Sequence, residues 1–458
     1  MLATSTLYAR FRAAPGGVST DSRQPQAGTL FFALNGPSFR GAAFAPAALA
    51  AGAAFAVVDD AALAATDPAR YTFAPDPLAA LQALAAHHRQ QFAGPVLAIS
   101  GSNGKTTTKE LLTAVLAKKY RVLATTGNLN NHIGVPLTLL RLRLDEHEIA
   151  VVEMGANHQR EIAGYCHYAR PTHGLLTNIG KAHLEGFGGP EGVALGKGEL
   201  FDYLAATGGT IFLNTLDEKV VRAAARAVQA NAQAPAPGPA PVLATYPAPT
   251  DTYPAALLAA APALALRFGP AATEVAATEV AAQLTGAYNF ANLAAAAAVG
   301  QHFEVPAAAI AAALAGYSPR NNRSQLLRTA AGNALVLDAY NANPSSMAAA
   351  LHSFAQPPEA PGAAPAPRLV ILADMFELGT ASTAEHRALG QLLQELKLEN
   401  ALLIGPEMQA TAAACPAARH FGTKAQAADW LARHPVRHHQ ILVKGSRGMA
   451  LETLVELL

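Results

Sequence analysis

One run narrows the possible folds more than any other: Val96-Leu-Ala-Ile-Ser-Gly-Ser-Asn-Gly-Lys-Thr-Thr-Thr-Lys-Glu110, an apolar strand passing through a glycine turn into a helix. Gly101 and Gly104 let the backbone curl so that N–H groups converge on phosphate oxygens, and the start of the helix adds a favourable potential for anions. Lys105 supplies a cation, and the Thr106 hydroxyl can hold Mg²⁺. Gly101, Ser102, Asn103, Gly104, Lys105, Thr106 and Thr107 therefore read as an ATP site. A turn that merely starts a helix is the blander reading, but it leaves unexplained why strand, glycines, Lys-Thr and helix all fall in register. The long phosphate-loop pattern calls for glycine where this chain has Ile99, so the shorter GxxGKT form is present.

Further short apolar runs alternate with amphipathic segments: Ile149–Glu153, Leu175–Asn178, Leu335–Asp338, Leu369–Ala373 and Ala401–Ile404. Such runs between helical patterns predict βαβ units and parallel sheets, an α/β fold. The length of 458 residues predicts several domains, three as the working figure. Ala234–Pro241 and Pro357–Pro367 are rich in proline and alanine, lose donors and bury little, and are expected to interrupt domains as unpacked insertions. No fixed-period repeat supports a solenoid.

The 33 basic and 32 acidic residues give a net charge of +1, which makes no case for nucleic acid or an anionic membrane as partner. Two cysteines, Cys166 and Cys415, with no CxxC spacing, support neither a disulfide framework nor a zinc cluster and fit a reducing cytoplasm. No window has the run of apolar residues that a membrane span needs, so a soluble, cytoplasmic chain is expected, without membrane insertion. Much of the 51% hydrophobic fraction is alanine and reads as composition bias.

A magnesium nucleotide needs further oxygen ligands, which tend to lie at strand ends beside the phosphate loop. Glu153 closes an apolar run and so sits where such an acid belongs, although a surface Glu in a turn competes with that reading. His183 follows the polar cluster after Leu175–Asn178, and Lys197 lies in a helical pattern. Spacing alone leaves His183 structural or solvated and Lys197 an exposed helical lysine.

At this point the chain resembles the Mur ligase family. GSNGKTTTKE (Gly101–Glu110), TTGNLNNHIGVPLT (Thr125–Thr138), VEMGANHQREI (Val152–Ile162), TNIGKAHLEGFG (Thr177–Gly188) and GKGELF (Gly196–Phe201) follow in the family's order. DAYNANPSSM within Leu337–Met347, DMFELG within Leu372–Gly379 and KGSRGM (Lys444–Met449) resemble the branch that adds D-alanyl-D-alanine. Relatives that add a diamino acid to the UDP-dipeptide, or glutamate to folate, are the alternative within the family.

The resemblance implies three α/β domains: a small uridine-nucleotide-binding domain over 1–90, a central phosphate-loop ATPase with a mainly parallel sheet over 91–316, and a Rossmann-like C-terminal domain over 317–458. It implies Mg²⁺ held by Thr106, Glu153, His183 and a carbamylated Lys197, with Lys105, Lys197, His183 and Arg323 as the catalytic set. Asn289 and Asn292 match adenine-contacting positions, Arg323 an arginine reaching ATP, and Asp338 a ribose contact. Tyr288 stands where the family often has histidine, and Asn322 where it usually has glycine. Ser22, Arg23, Asn35, Thr126, Asn128 and Asn131 match the UDP-substrate side, with Arg40-Gly41-Ala42 replacing the usual DGH-like stretch. Asn341 and Asn343 match either the nucleotide edge or the acceptor site. The implied substrates are UDP-N-acetylmuramoyl-tripeptide and D-alanyl-D-alanine, joined by a monomer through an acyl phosphate during peptidoglycan precursor synthesis.

Overall fold

The structure, a computed structural model, describes residues 4–260, 263–269, 277–320, 322–356 and 366–458. By contact the chain forms two compact units: residues 1–99, 120–156 and 160–174 make the first, and residues 100–119, 157–159 and 175–458 the second.

In the first unit, strands Val18–Ser19, Leu30–Phe32, Phe55–Val58 and Tyr71–Phe73 pair in that order as a parallel sheet. Leu30, Phe31, Phe32, Ala56, Val57 and Val58 are at most 2% exposed, the pattern of strands covered on both faces. Ala45, Ala48 and Leu49 of the helix Ala45–Ala50 pack on one of those faces. Asp60 and Asp76 cap the helices Ala61–Thr66 and Pro77–Gln90 by accepting backbone N–H groups. The same unit pairs Val122–Ala124 with Ile149–Glu153, and Ile149–Glu153 with the strand Val96–Ser100, all parallel.

In the second unit, Thr210–Asn214 pairs in parallel with Val242–Tyr246, and Ala255–Ala259, Ala265–Phe268 and Thr278–Ala281 form an antiparallel sheet. A six-stranded sheet follows in the order Gln325–Arg328, Ala334–Asp338, Gln440–Lys444, Arg368–Ala373, Ala401–Ile404, Arg419–Phe421. Its first pair is antiparallel and the others are parallel. The last strand in sequence thus lies between the second and third. This is a reversal of strand order, and such a switch opens a crevice at the carboxyl ends of the strands.

Strands Val96–Ser100, Ile149–Glu153 and Ala401–Ile404 have the bounds expected from their apolar runs. The run Leu175–Asn178 is displaced: the strand is His173–Leu176, because Thr177 and Asn178 turn away to bond the phosphate loop. Ala234–Pro241 is an irregular connection between Glu218–Ala232 and Val242–Tyr246, whereas residues 357–365 of the other expected insertion lie outside the described residues. Alanine is more than bias in the helix Phe290–His302, where Ala294 to Ala298 are at most 2% exposed and pack the helix into the core. Cys166 and Cys415 are both buried and unbridged. Among the described residues no helix is long and apolar enough to cross a membrane.

Candidate active site

The strand Val96–Ser100 delivers the chain into a loop that ends at the helix Lys105–Leu116, with Gly104 as its left-handed N-cap at φ +80°. The loop is pinned from behind by the segment after His173–Leu176. Ser102 N–H donates to the Asn178 carbonyl at 3.0 Å and Asn103 N–H to Asn178 Oδ1 at 3.0 Å, while Thr177 Oγ1 donates to the Asn103 carbonyl at 2.6 Å. Lys105 Nζ folds back onto the carbonyls of Gly101 and Ser102, at 2.7 and 3.1 Å. Thr106 and Thr107 are 7% exposed in the first turn of the helix.

Two glycines are obligatory here. A Cβ on Gly101, at φ +132°, would fall 2.1 Å from Thr177 Oγ1, and one on Gly104 would fall 2.7 Å from Asn292 Oδ1. Gly101→Ala is expected to destabilise the protein by about 1–3 kcal/mol and to weaken ADP binding roughly tenfold or more. Denaturant unfolding and calorimetric ADP titration check this, and wild-type values in both would reject the close-packed loop.

Asn292 accepts from Thr108 Oγ1 at 3.1 Å and donates to Asn289 Oδ1 at 2.9 Å, and Asn289 donates to the Thr285 carbonyl at 2.8 Å. The expected adenine-side amides are therefore brought to the base of the phosphate-loop helix, both buried. Tyr288 spans from there to Ser324, hydroxyl to hydroxyl at 3.0 Å, and burial pushes its phenol pKa up. Asn322 and Ser324 flank Arg323 at φ +58° and +47°. Asn322 stands where the family usually has glycine because asparagine is among the few other residues that accept this left-handed conformation. The Arg323 guanidinium stacks 3.7 Å from the ring centroid of Tyr340.

Asp338, at the end of strand Ala334–Asp338, is held by Lys444 Nζ at 2.6 Å and by Ser324 N–H at 3.3 Å. Lys444 also donates to the Asn341 carbonyl at 3.1 Å. Asn343 caps the helix Pro344–Ala355 in a reciprocal box with Ser346, and its Nδ2 donates to Asn103 Oδ1 of the phosphate loop at 2.7 Å. A cavity of about 250 Å³ opens at this switch point, lined among others by His183, Tyr340, Asn341, Asn343, Glu377 and Arg447.

His183 lies in the same unit, at φ +52°, with Nδ1 bonded to the Glu377 carboxylate, a contact that holds the Glu377 pKa below its ordinary value. Lys197, in the helix Pro190–Thr207, is fully buried with its Nζ 4.9 Å from the Phe187 ring centroid. The default of an exposed lysine is thereby overturned.

In the first unit, Glu153 is 1% exposed, accepts from Asn130 Nδ2 at 2.7 Å, and has its N–H bonded to Thr125 Oγ1 at 3.0 Å, so it is no surface turn residue. Among the described residues no three His, Cys, Asp or Glu side chains converge as a metal site. The Thr106 hydroxyl is a hard oxygen donor of the kind Mg²⁺ takes, and so, taken by itself, is the buried Glu153 carboxylate.

On the expected UDP side, Arg23 pairs with Asp21 at 2.8 Å and lowers its pKa to about 2. Ser22 lies between them in the same turn, and Asn35 bridges the Gly41 N–H and Asp59, both at 2.8 Å. Thr126 accepts from Arg141 at 2.9 Å. Asn128 offers its carbonyl to Asn130 N–H at 2.8 Å, and Asn131 Oδ1 accepts from Gly134 N–H at 2.9 Å at the start of Gly134–Leu139. Asn178, Tyr340, Glu377 and Lys444 also take part in the site, without any role expected from sequence. The signal available was that each sits inside or beside one of the quoted motifs.

A glycine phosphate loop on an α/β scaffold, bonded through Asn103 to Asn343 at a cavity over the carboxyl ends of a mainly parallel sheet, defines a nucleotide-dependent group-transfer enzyme. The chain belongs to the Mur ligase family: residues 16–89 match the Mur ligase family catalytic domain, 99–238 the Mur ligase middle domain and 322–447 the Mur ligase glutamate ligase domain. Among its relatives, the UDP-N-acetylmuramoyl-tripeptide–D-alanyl-D-alanine ligase of Escherichia coli K12 is 35% identical over 96% of this chain and 93% of its own length. That of Bacillus subtilis 168 is 30% identical over 96% and 92%. A crystal structure of MurF from Acinetobacter baumannii superposes with a TM-score of 0.83 at 29% identity, covering 99% of this chain and 98% of that one.

Proposed function

We propose that this chain is the ATP-dependent ligase that joins D-alanyl-D-alanine to the terminal carboxylate of UDP-N-acetylmuramoyl-tripeptide in peptidoglycan precursor synthesis. The observation that carries the reading is the bond between Asn103 and Asn343, which sets the phosphate loop beside a cavity of about 250 Å³. Pockets for small-molecule ligands run to about 300–1,000 Å³, and a cavity near the lower end accommodates a small acceptor such as a dipeptide. The domain boundaries at 90 and 316, a monomeric state and a cytoplasmic location belong to the same proposal.

A carboxylate is a poor electrophile and its oxygen a poor leaving group, so it must be activated before an amine can attack. The tripeptide carboxylate oxygen attacks the γ-phosphorus of ATP, ADP leaves, and an acyl phosphate remains. The amine of D-alanyl-D-alanine then attacks that carbonyl, the nitrogen loses its proton, and inorganic phosphate departs. Lys105, whose Nζ bonds the loop carbonyls, neutralises charge on the transferring phosphoryl, assisted by Arg323.

Thr106, Glu153, His183 and carbamylated Lys197 would hold Mg²⁺, which supplies positive charge to the phosphate and carboxylate oxygens. Asn289 and Asn292 orient the adenine side, and Asp338, kept in place by Lys444, meets the ribose edge. Asn341 and Asn343 border the acceptor cavity, and the segment Thr126 to Asn131, with Ser22, Arg23 and Asn35, serves the UDP-linked substrate. No protein nucleophile is needed.

The test is a product-mass assay with ATP, D-alanyl-D-alanine and UDP-N-acetylmuramoyl-tripeptide carrying either lysine or diaminopimelate. The expected result is a product heavier by the dipeptide less water, with phosphate released in equal amount. Extension of the UDP-dipeptide or of folate instead, or no turnover, would overturn the reading.

A further inference from the structure

His183 has two ring nitrogens, and only one of them is available to a metal. We propose that Glu377 is a positioning residue for the metal shell: its carboxylate accepts a hydrogen bond from Nδ1–H of His183, fixing the tautomer and ring orientation that leave Nε2 as the ligand. The inference rests on the reading of His183 as a metal ligand given above.

Glu377 and His183 meet at a direct carboxylate–imidazole contact across 194 residues of sequence. A metal-binding histidine characteristically gives its other N–H to such a group, which raises its basicity and fixes its orientation. Both residues carry left-handed backbones, at φ +62° and +52°. That conformation is uncommon for side chains of this size, and it clusters where a site requires it.

The segment that presents Glu377 is anchored through the two residues before it. Met375 N–H donates to His386 Nε2 at 3.1 Å, and Phe376 N–H donates to Ser446 Oγ at 3.0 Å. His386 Nδ1 faces the Ser382 carbonyl at 2.9 Å. A carbonyl can only accept and a backbone N–H can only donate, so the tautomer of this fully buried histidine is settled and its ring acts as a strut.

The segment carrying His183 is anchored on its own side. The backbone N–H of Lys181 donates to Ser345 Oγ at 2.8 Å. A surface ion pair of opportunity needs neither two left-handed residues nor two anchored loops.

The test is Mn²⁺ binding to the full chain without substrates, read by electron spin resonance, together with the ring-nitrogen shifts of His183. His183→Gln, Glu377→Gln, Glu377→Asp and Lys181→Ala are compared with wild type. Glu377→Gln is expected to weaken Mn²⁺ binding about 10–100-fold and to move His183 off a single Nδ1–H tautomer. Glu377→Asp should recover part of both, and Lys181→Ala, which removes a neighbouring ion pair with Glu385, should change neither. If His183→Gln weakens binding while Glu377→Gln leaves affinity and tautomer unchanged, the positioning role is wrong and the metal reading stands. If His183→Gln itself leaves the affinity unchanged, the metal reading fails.

Discussion

Lys105→Ala is expected to lower kcat/KM for ATP by about a thousandfold, close to 4 kcal/mol of transition-state stabilisation. Lys105 Nζ bonds the Gly101 and Ser102 carbonyls, which keeps the ammonium at the loop that the phosphates would meet. Its interaction with phosphate oxygens strengthens as charge shifts in the transition state. The helix Lys105–Leu116 keeps its packing through Leu111, Leu112, Val115 and Leu116, all fully buried, so the fold should survive the substitution. Steady-state kinetics with thermal unfolding as control check this. A loss below about tenfold would show that the lysine is not aimed at the transferring phosphoryl.

Lys197→Ala is expected to remove at least as much activity, with partial recovery when a short carboxylate such as acetate is added. The side chain is wholly buried, with its Nζ 4.9 Å from the Phe187 ring centroid, and a carbamate there would supply the oxygen donors that Mg²⁺ prefers. Truncation to alanine leaves a space that a small carboxylate can enter, whereas a purely structural lesion would not respond to one. Removing bicarbonate from the wild-type enzyme should also lower its rate. Full activity in the alanine variant would take the carbamate out of the mechanism.

Much of the scaffold was legible because buried parallel strands announce themselves as unbroken apolar runs. Ile149–Glu153 and Ala401–Ile404 could be bounded to the residue for that reason. The phosphate loop was legible because its glycines, lysine and helix start are consecutive, and close spacing in sequence becomes close spacing in space. The same reasoning overextended the run at Leu175, since Thr177 and Asn178 continue its apparent pattern but spend their polar groups on the loop. Alanine in Phe290–His302 reads as bias from composition, because composition does not tell which faces a helix buries.

The amino-acid order was enough to establish the α/β class, the nucleotide loop and the succession of family motifs, because each depends on neighbours a few residues apart. Folding alone could bring Asn343 against Asn103 across 240 residues, set Glu377 on His183, and seal Lys197 away from solvent. Hydrogen-bond partners and burial depend on how distant segments pack, and a one-dimensional pattern carries no measure of that distance.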